Sequence, residues 1–177
     1  GGEDAYIIGK MNSLLDKKVI AKLYEASANG VRIDLIVRGI CTLRPGIAGV
    51  SDNITVRSIV GRFLEHHRLF YFRNGGNEKI FLSSADWMPR NLNERVELMI
   101  PIEDKRHKAR IKGILDLYLV DTLKAHLMRS DGSYYKVSNI EGPLSAQEEL
   151  MEAANTQDSR DQMIVIERFK PMFKMKE

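Results

Sequence analysis

The apolar positions fall into short runs with two different periods. Ala5-Tyr6-Ile7-Ile8-Gly9 is a continuous apolar run of strand length, and Val31, Ile33, Leu35 and Val37 alternate with Arg32 and Asp34 as in a strand. Between them Leu15, Val19 and Leu23 recur every four residues, with Ile20 and Tyr24 beside them, as on one helix face. Ser13 with Asp16 three residues later reads as a capping box, and Asn29-Gly30 as the helix stop. Strand, helix and strand over short connections predict a right-handed parallel crossover.

Further along, residues 42–53 contain Pro45, Gly46 and Gly49 and end in Ser51-Asp52-Asn53, a loop closing in a helix cap. Val56, Ile59, Val60 and Phe63 then have helical spacing and predict a helix. Residues 68–72 and 79–83 are strand-like runs around Asn74-Gly75-Gly76, which predicts an antiparallel hairpin. Residues 96–101 read as another strand. Ile111, Ile114, Leu115 and Tyr118 predict one long amphipathic helix from Arg106 to about Met128. A turn at Asp131-Gly132, a strand over 134–137 and a helix over 145–154 complete the pattern. The mixture predicts an α/β layer fold, with a domain over 1–129 and an α+β extension over 130–177 packed on or beside it.

Composition narrows the class. A chain of 177 residues is long enough for one domain with a real core. The net charge of +3 is too weak to argue for nucleic acid, but suits an anionic ligand if the charge is local. The single cysteine, Cys41, excludes an intrachain disulfide and points to a reducing compartment. No run approaches the roughly 20 apolar residues of a membrane span, and no secretory signal is present. The expected location is the cytoplasm, with peripheral contact at the inner membrane face as a variant. The start at Gly1-Gly2-Glu3, without an initiator Met, reads as either a fragment or a processed chain.

Ligands of open α/β sheets bind beyond the carboxyl ends of parallel strands. Lys10 and Asn12 follow the first strand there, and Arg38-Gly39 follows the second. An Arg at such an end offers a planar fork of donors to phosphate oxygens, and the glycine lets the backbone turn close to a ligand. Glu65-His66-His67-Arg68 is the second feature, with His66 and Arg68 two apart and expected on one strand face. A histidine beside a cation can serve as nucleophile, general acid or phosphate ligand. Across the hairpin, Ser84 and Asp86 are placed to approach that face. Cys41 reads as a small buried hydrophobe, and Trp87 and Met88 as packing residues. His107 and His126 lack metal-ligand spacing, and the cations at 106, 108, 110 and 112 read as a solvated helix face. No phosphate-binding Walker loop or dinucleotide fingerprint occurs.

Several of these segments recur together in a known family. Val37-Arg38-Gly39-Ile40-Cys41, Gly49-Val50-Ser51-Asp52-Asn53-Ile54, Arg57-Ser58-Ile59-Val60, Phe63-Leu64-Glu65-His66 with Arg68, Asn74-Gly75-Gly76, and Leu82-Ser83-Ser84-Ala85-Asp86-Trp87-Met88 with Arg90-Asn91 stand in one order. Over about residues 5 to 129 the chain resembles the carboxy-terminal catalytic domain of bacterial polyphosphate kinases. The resemblance implies a phospholipase-D-like fold, a mixed sheet flanked by helices, whose active site is built from two similar halves. It also implies reversible transfer of the terminal phosphate of ATP to polyphosphate through a phosphohistidine on a preceding domain that this chain lacks, along with the amino-terminal and helical domains.

In that family the histidine matching His66 is the second essential one and contacts nucleotide phosphates, as does the arginine matching Arg38. Lys10, Asn12, Arg68, Ser84 and Asp86 are expected to support phosphate or polyphosphate, and His67 is a bystander. ATP or ADP is the implied substrate, with magnesium as cofactor but no ligand cluster for it here, and the complete enzyme is expected to be a homo-oligomer. Arg68 in place of Lys and Asp86 in place of Asn depart from the phospholipase D pattern. Two other readings remain at this point: a phospholipase-D-type phosphodiesterase assembled by dimerisation, and a non-catalytic anion-binding module.

Overall fold

A computed structural model describes residues 5–137 and 142–165, with 157–165 given by backbone alone. In chain order the elements are β1 (Tyr6–Met11), α1 (Lys17–Ala28), β2 (Arg32–Val37), β3 (Ile54–Ile59), β4 (Arg68–Phe72), β5 (Lys79–Ser83), α2 (Pro89–Asn93), β6 (Met99–Ile102), α3 (Lys105–Leu119), β7 (Ala125–Met128), β8 (Tyr134–Lys136) and α4 (Ala146–Val165). The strands form one eight-stranded sheet in the order β6-β5-β4-β1-β2-β3-β7-β8. Its centre, β1-β2-β3, is parallel, and every other pairing is antiparallel.

The β1–α1–β2 crossover forms as its periodicity predicts. The cap differs: Asp16, not Ser13, is the N-cap, and its carboxylate accepts the Val19 N–H at 2.9 Å. Ser13 stays extended because the segment after β1 runs beside two others. Leu14 N–H donates to the Ile40 carbonyl at 2.9 Å, and Leu15 N–H to the Trp87 carbonyl at 2.8 Å.

Two elements differ from the sequence expectation. Residues 54–59 are strand β3, not a helix, and pair in parallel with β2 from Ile33↔Ile54 to Ile36↔Arg57. Val56 and Ile59 satisfy helical spacing, but Ile54 and Val56 face one side and Thr55 and Arg57 the other, and the unpaired edge of β2 selects the strand. The long helix stops at Leu119, and β7 then pairs with β3. Asp121 makes the break. Its buried carboxylate accepts the N–H groups of Lys124 at 2.8 Å and Ala125 at 3.0 Å, a turn that the helix could not continue.

The sheet is covered on both faces, so its central strands are buried on both. Met11, Ile33, Leu35, Val37, Val56 and Phe70 pack toward α1, and Ile8, Ile36, Ile59, Leu69, Leu115 and Tyr118 pack toward α3 and α4. At about 1.5–3 kcal/mol per fully buried side chain, these two layers hold the sheet together. The one carboxylate in β2, Asp34, is satisfied by the Tyr6 hydroxyl at 2.6 Å, the Thr55 hydroxyl and Arg32 at 2.9 Å. Beyond residue 129, β8 extends the sheet by pairing with β7, and the first turn of α4 is tied to Asp121 through the Ala146 N–H at 2.8 Å.

Candidate functional site

Strand direction brings distant residues to one end of the sheet. The carboxyl ends of β1 and β2 lie there. Because β4 is antiparallel to β1, with Lys10↔Leu69, the entrance to β4 lies there too. Arg68↔Ser83 puts the exit of β5 at the same end. Asn12, Arg38, His66, Arg68 and Asp86 therefore converge, although they span more than seventy positions of sequence.

His66 is exposed, in the connection that leads into β4. It does not share a face with Arg68, because strand geometry begins only at Arg68, which turns inward and is buried. Arg68 holds the histidine from below instead: its Nη1 donates to the His66 carbonyl at 2.8 Å. The Asn12 side-chain nitrogen lies 3.4 Å from His66 Nδ1. An amide nitrogen only donates, so as oriented it selects the tautomer with the proton on Nε2 and leaves the ring an outward donor.

Asp86 is the hinge of the arrangement. Its carboxylate takes Arg68 Nε at 3.2 Å and Nη2 at 3.0 Å, a bidentate pair, and also accepts the backbone N–H groups of Asn12 at 2.7 Å and Ser13 at 3.3 Å. Burial alone pushes its carboxyl up, but Arg68 and the two N–H groups together outweigh that and hold it below the usual carboxylate range. The end of β1, the entrance of β4 and the segment after β5 are locked by this one group.

Lys10 lies beneath the site, 2% exposed, and pairs with Glu65 at 2.7 Å, above the Tyr118 ring at 4.8 Å. Burial pulls the Lys10 ammonium below its ordinary value, and Glu65 opposes the shift. Burial pushes the Glu65 carboxyl up, yet Lys10 and Gln147 hold it below the ordinary range. Lys10 is thus a structural cation and does not face solvent. Neighbouring His67 is partly buried with Nε2 unpartnered among the described residues, and burial pulls its pKa down to about 4. It is a neutral ring packed 5.8 Å from Tyr118.

Among the described residues at this sheet end, Arg38 supplies a cation that is not spent on the protein. It is partly buried, and its Nη1 is inaccessible and has no hydrogen-bond partner among the described residues. A buried unpaired donor of this kind calls for an acceptor. The adjoining Gly39 lets the chain approach itself rather than a ligand: its N–H donates to the Asn12 carbonyl at 2.8 Å, and a Cβ there would lie 3.0 Å from that oxygen. The Ser84 side chain bonds to protein groups other than His66. Its hydroxyl donates to Glu97 and accepts the Leu98 N–H at 3.0 Å, which pins the segment before β6. Trp87 stacks on Phe70 with centroids 4.6 Å apart, and burial pushes the Cys41 thiol up to about 11, so both are packing residues.

Glu65 and Gln147 were not among the residues singled out from sequence. Glu65 stands inside the Glu65-His66 motif, which is a usable signal, but nothing in the sequence links it to Gln147. Among the described residues no group of three His, Cys, Asp or Glu side chains is placed to hold a metal. The carboxylates built into this sheet end, Glu65 and Asp86, are each committed to a cation, so these residues do not fit a resident magnesium site.

The arrangement can present a histidine donor, and an arginine whose Nη1 has no partner among the described residues, to an anion at the mouth of the parallel strands. The family described as polyphosphate kinase C-terminal domain 2 matches residues 1–147. The polyphosphate kinase of Pseudomonas aeruginosa is 56% identical over 153 residues, covering 85% of this chain and 22% of the relative. This chain therefore spans about a fifth of the length of such relatives. The crystal structure of polyphosphate kinase from Porphyromonas gingivalis superposes with a TM-score of 0.85 and 42% identity, over 90% of this chain and 24% of that one. A phospholipase D family member, Nuc from Salmonella typhimurium, shares the fold at a TM-score of 0.53 and 14% identity, over 73% of this chain and 85% of that one. The fold is thus phospholipase-D-like, and the chain belongs to the polyphosphate kinase C-terminal domain 2 family.

Proposed function

We propose that this chain supplies one half of the transfer site of a polyphosphate kinase, which moves the terminal phosphate of ATP to polyphosphate through a phosphohistidine carried outside these residues. The observation that carries the reading is the pairing of an exposed His66, held as a donor by Asn12, with Arg38, whose Nη1 has no hydrogen-bond partner among the described residues, at the same sheet end. Arg38 neutralises nucleotide phosphate charge, which matters because phosphoryl transfer is catalysed chiefly by positioning and electrostatic stabilisation. His66 gives a hydrogen bond through Nε2 to the bridging or transferring oxygen. Asn12 orients the ring, and Arg68 and Asp86 fix the backbone beneath it. Magnesium accompanies the nucleotide in this reading, with no ligand assigned to this chain. The complete enzyme is read as a cytoplasmic homo-oligomer. Among the described residues no helix is long and apolar enough to cross a membrane.

Phosphodiester hydrolysis of the phospholipase D type fits less well. Arg68, which stands where that pattern has Lys, is consumed by Asp86 and the His66 carbonyl and is not free beside the imidazole.

The test uses the full-length enzyme that contains this segment. His66→Ala should abolish ATP-dependent polyphosphate synthesis, and Arg38→Ala should raise the nucleotide KM by about tenfold or more, the loss of one charge-assisted hydrogen bond. Synthesis at the wild-type rate by His66→Ala would sink the role given to His66.

A further inference from the structure

The connection that carries His66 is gripped by a residue from the other end of the chain. Gln147, in the first turn of α4 and 7% exposed, makes three hydrogen bonds to residues 63–65. Its Oε1 accepts the Phe63 N–H at 3.0 Å, and its Nε2 donates to the Phe63 carbonyl at 3.0 Å and to Glu65 Oε1 at 2.6 Å. Only one amide orientation satisfies a donor on one side and two acceptors on the other, so the amide is fixed. The other Glu65 oxygen faces Lys10 of β1, so the grip continues into the central sheet.

A second observation is independent of those bonds. A Cβ on Gly61 would lie 2.3 Å from Gln147 Oε1 and 2.8 Å from its Cδ, so a side chain at 61 and the amide at 147 cannot both be accommodated without a shift. A third concerns the anchor. Asp121, 1% exposed, accepts the Ala146 N–H on one oxygen and the Lys124 and Ala125 N–H groups on the other, which fixes the first turn of α4 to the start of β7. The amide is therefore held from behind while it holds the connection in front.

We propose that Gln147 is a positioning residue for His66, acting through the backbone at Phe63 and the carboxylate of Glu65. It touches no reacting atom. Its amide restrains residues 61–66 so that the imidazole donor stays aimed at the transferred phosphate, and displacement of a catalytic group by about 1 Å can cost two orders of magnitude in rate. The proposal rests on the polyphosphate kinase reading for its kinetic consequence, and the geometry stands apart from it.

The experiment compares Gln147→Ala and Gln147→Glu with wild type in the full-length enzyme. Two readouts are used: steady-state kinetics with ATP across pH, and amide hydrogen exchange over residues 61–66. Both variants should lower kcat by about tenfold or more with the nucleotide KM within about twofold of wild type. Exchange over residues 61–66 should be faster in both. Gln147→Glu adds a signature that a merely structural role would not give. A buried carboxyl facing Glu65 has a raised pKa, and its protonated form restores one of the two lost donations. Relative to wild type, its kcat should therefore recover as pH falls from about 8 to about 6. If Gln147→Ala fails to fold, Gln147→Glu carries the comparison alone. Wild-type kcat and exchange in both variants, or an equal loss in Gln147→Glu at every pH, would overturn the proposal. Absence of polyphosphate synthesis in the wild type would instead overturn the functional reading, and unchanged exchange over 61–66 in the variants would then still overturn the grip.

Discussion

Arg68, at the entrance of β4, and Asp86, three residues past β5, meet through two contacts of 3.2 and 3.0 Å. Both are buried, and both also hold backbone: Arg68 the His66 carbonyl, Asp86 the N–H groups of Asn12 and Ser13. The pair therefore ties three chain segments at the mouth of the sheet, as a covalent cross-link does elsewhere, with the charge of each partner answered by the other.

Removing one member leaves the other charged and unpaired. Asp86→Asn should destabilise this chain by about 3 kcal/mol at neutral pH, measured by urea unfolding. The sign of the pH dependence follows from the depressed carboxyl. Its contribution is present above the unfolded carboxylate pKa of about 4 and is lost as pH falls through the lower folded value. The wild-type curve should fall more steeply in acid than that of Asp86→Asn. Identical curves would show that the pair contributes nothing to stability.

Lys10 and Glu65 make a different case, because the ammonium is buried with a single carboxylate. Lys10→Met alone strands the carboxylate and should cost about 3 kcal/mol. Adding Glu65→Gln removes the stranded charge and should restore roughly half of that loss, while the new amide still accepts from Gln147. A double variant no more stable than Lys10→Met would show that Lys10 acts through packing against Tyr118 rather than through charge.

His67 carries a pH signature of its own. Burial, with Lys10 adding to it, holds the folded imidazole at about 4, against an ordinary value of about 6.5. Between those values the unfolded chain binds more protons, so stability is full above about 6.5 and declines as pH falls toward about 4. Replacing the ring by His67→Phe, which cannot titrate, should flatten the melting temperature over that window. An unchanged slope would place the titrating group elsewhere.

The crossover β1–α1–β2 and the β4–β5 hairpin were legible in the sequence because each is settled by local signals: alternation, four-residue spacing, Asn29-Gly30, and the Asn74-Gly75-Gly76 turn. Strand β3 was not, since Val56, Ile59 and Val60 satisfy helical spacing and only the free edge of β2 decides between the two. Strand β7 vanished into the preceding helix because Ala125–Met128 is short and follows Leu119 closely, and its break depends on Asp121 bonding forward. Within the site, Asn12, Arg38, His66 and Asp86 were legible as polar groups at strand ends. The inward turn of Arg68, the diversion of Ser84 to Glu97 and the burial of Lys10 were not, because each depends on a partner fixed only by tertiary pairing.

The bonds from Gln147 to Phe63 and Glu65 join positions 84 and 82 residues apart. A polypeptide made from its amino end thus exposes His66 to the solvent long before the residue that steadies it has been synthesised. Sheet pairings as far as β5 can form earlier, but the loop bearing the imidazole must wait for the last described helix. Assembly of this half-site is then a late event on the ribosome, and a nascent chain holds its histidine loosely until that point.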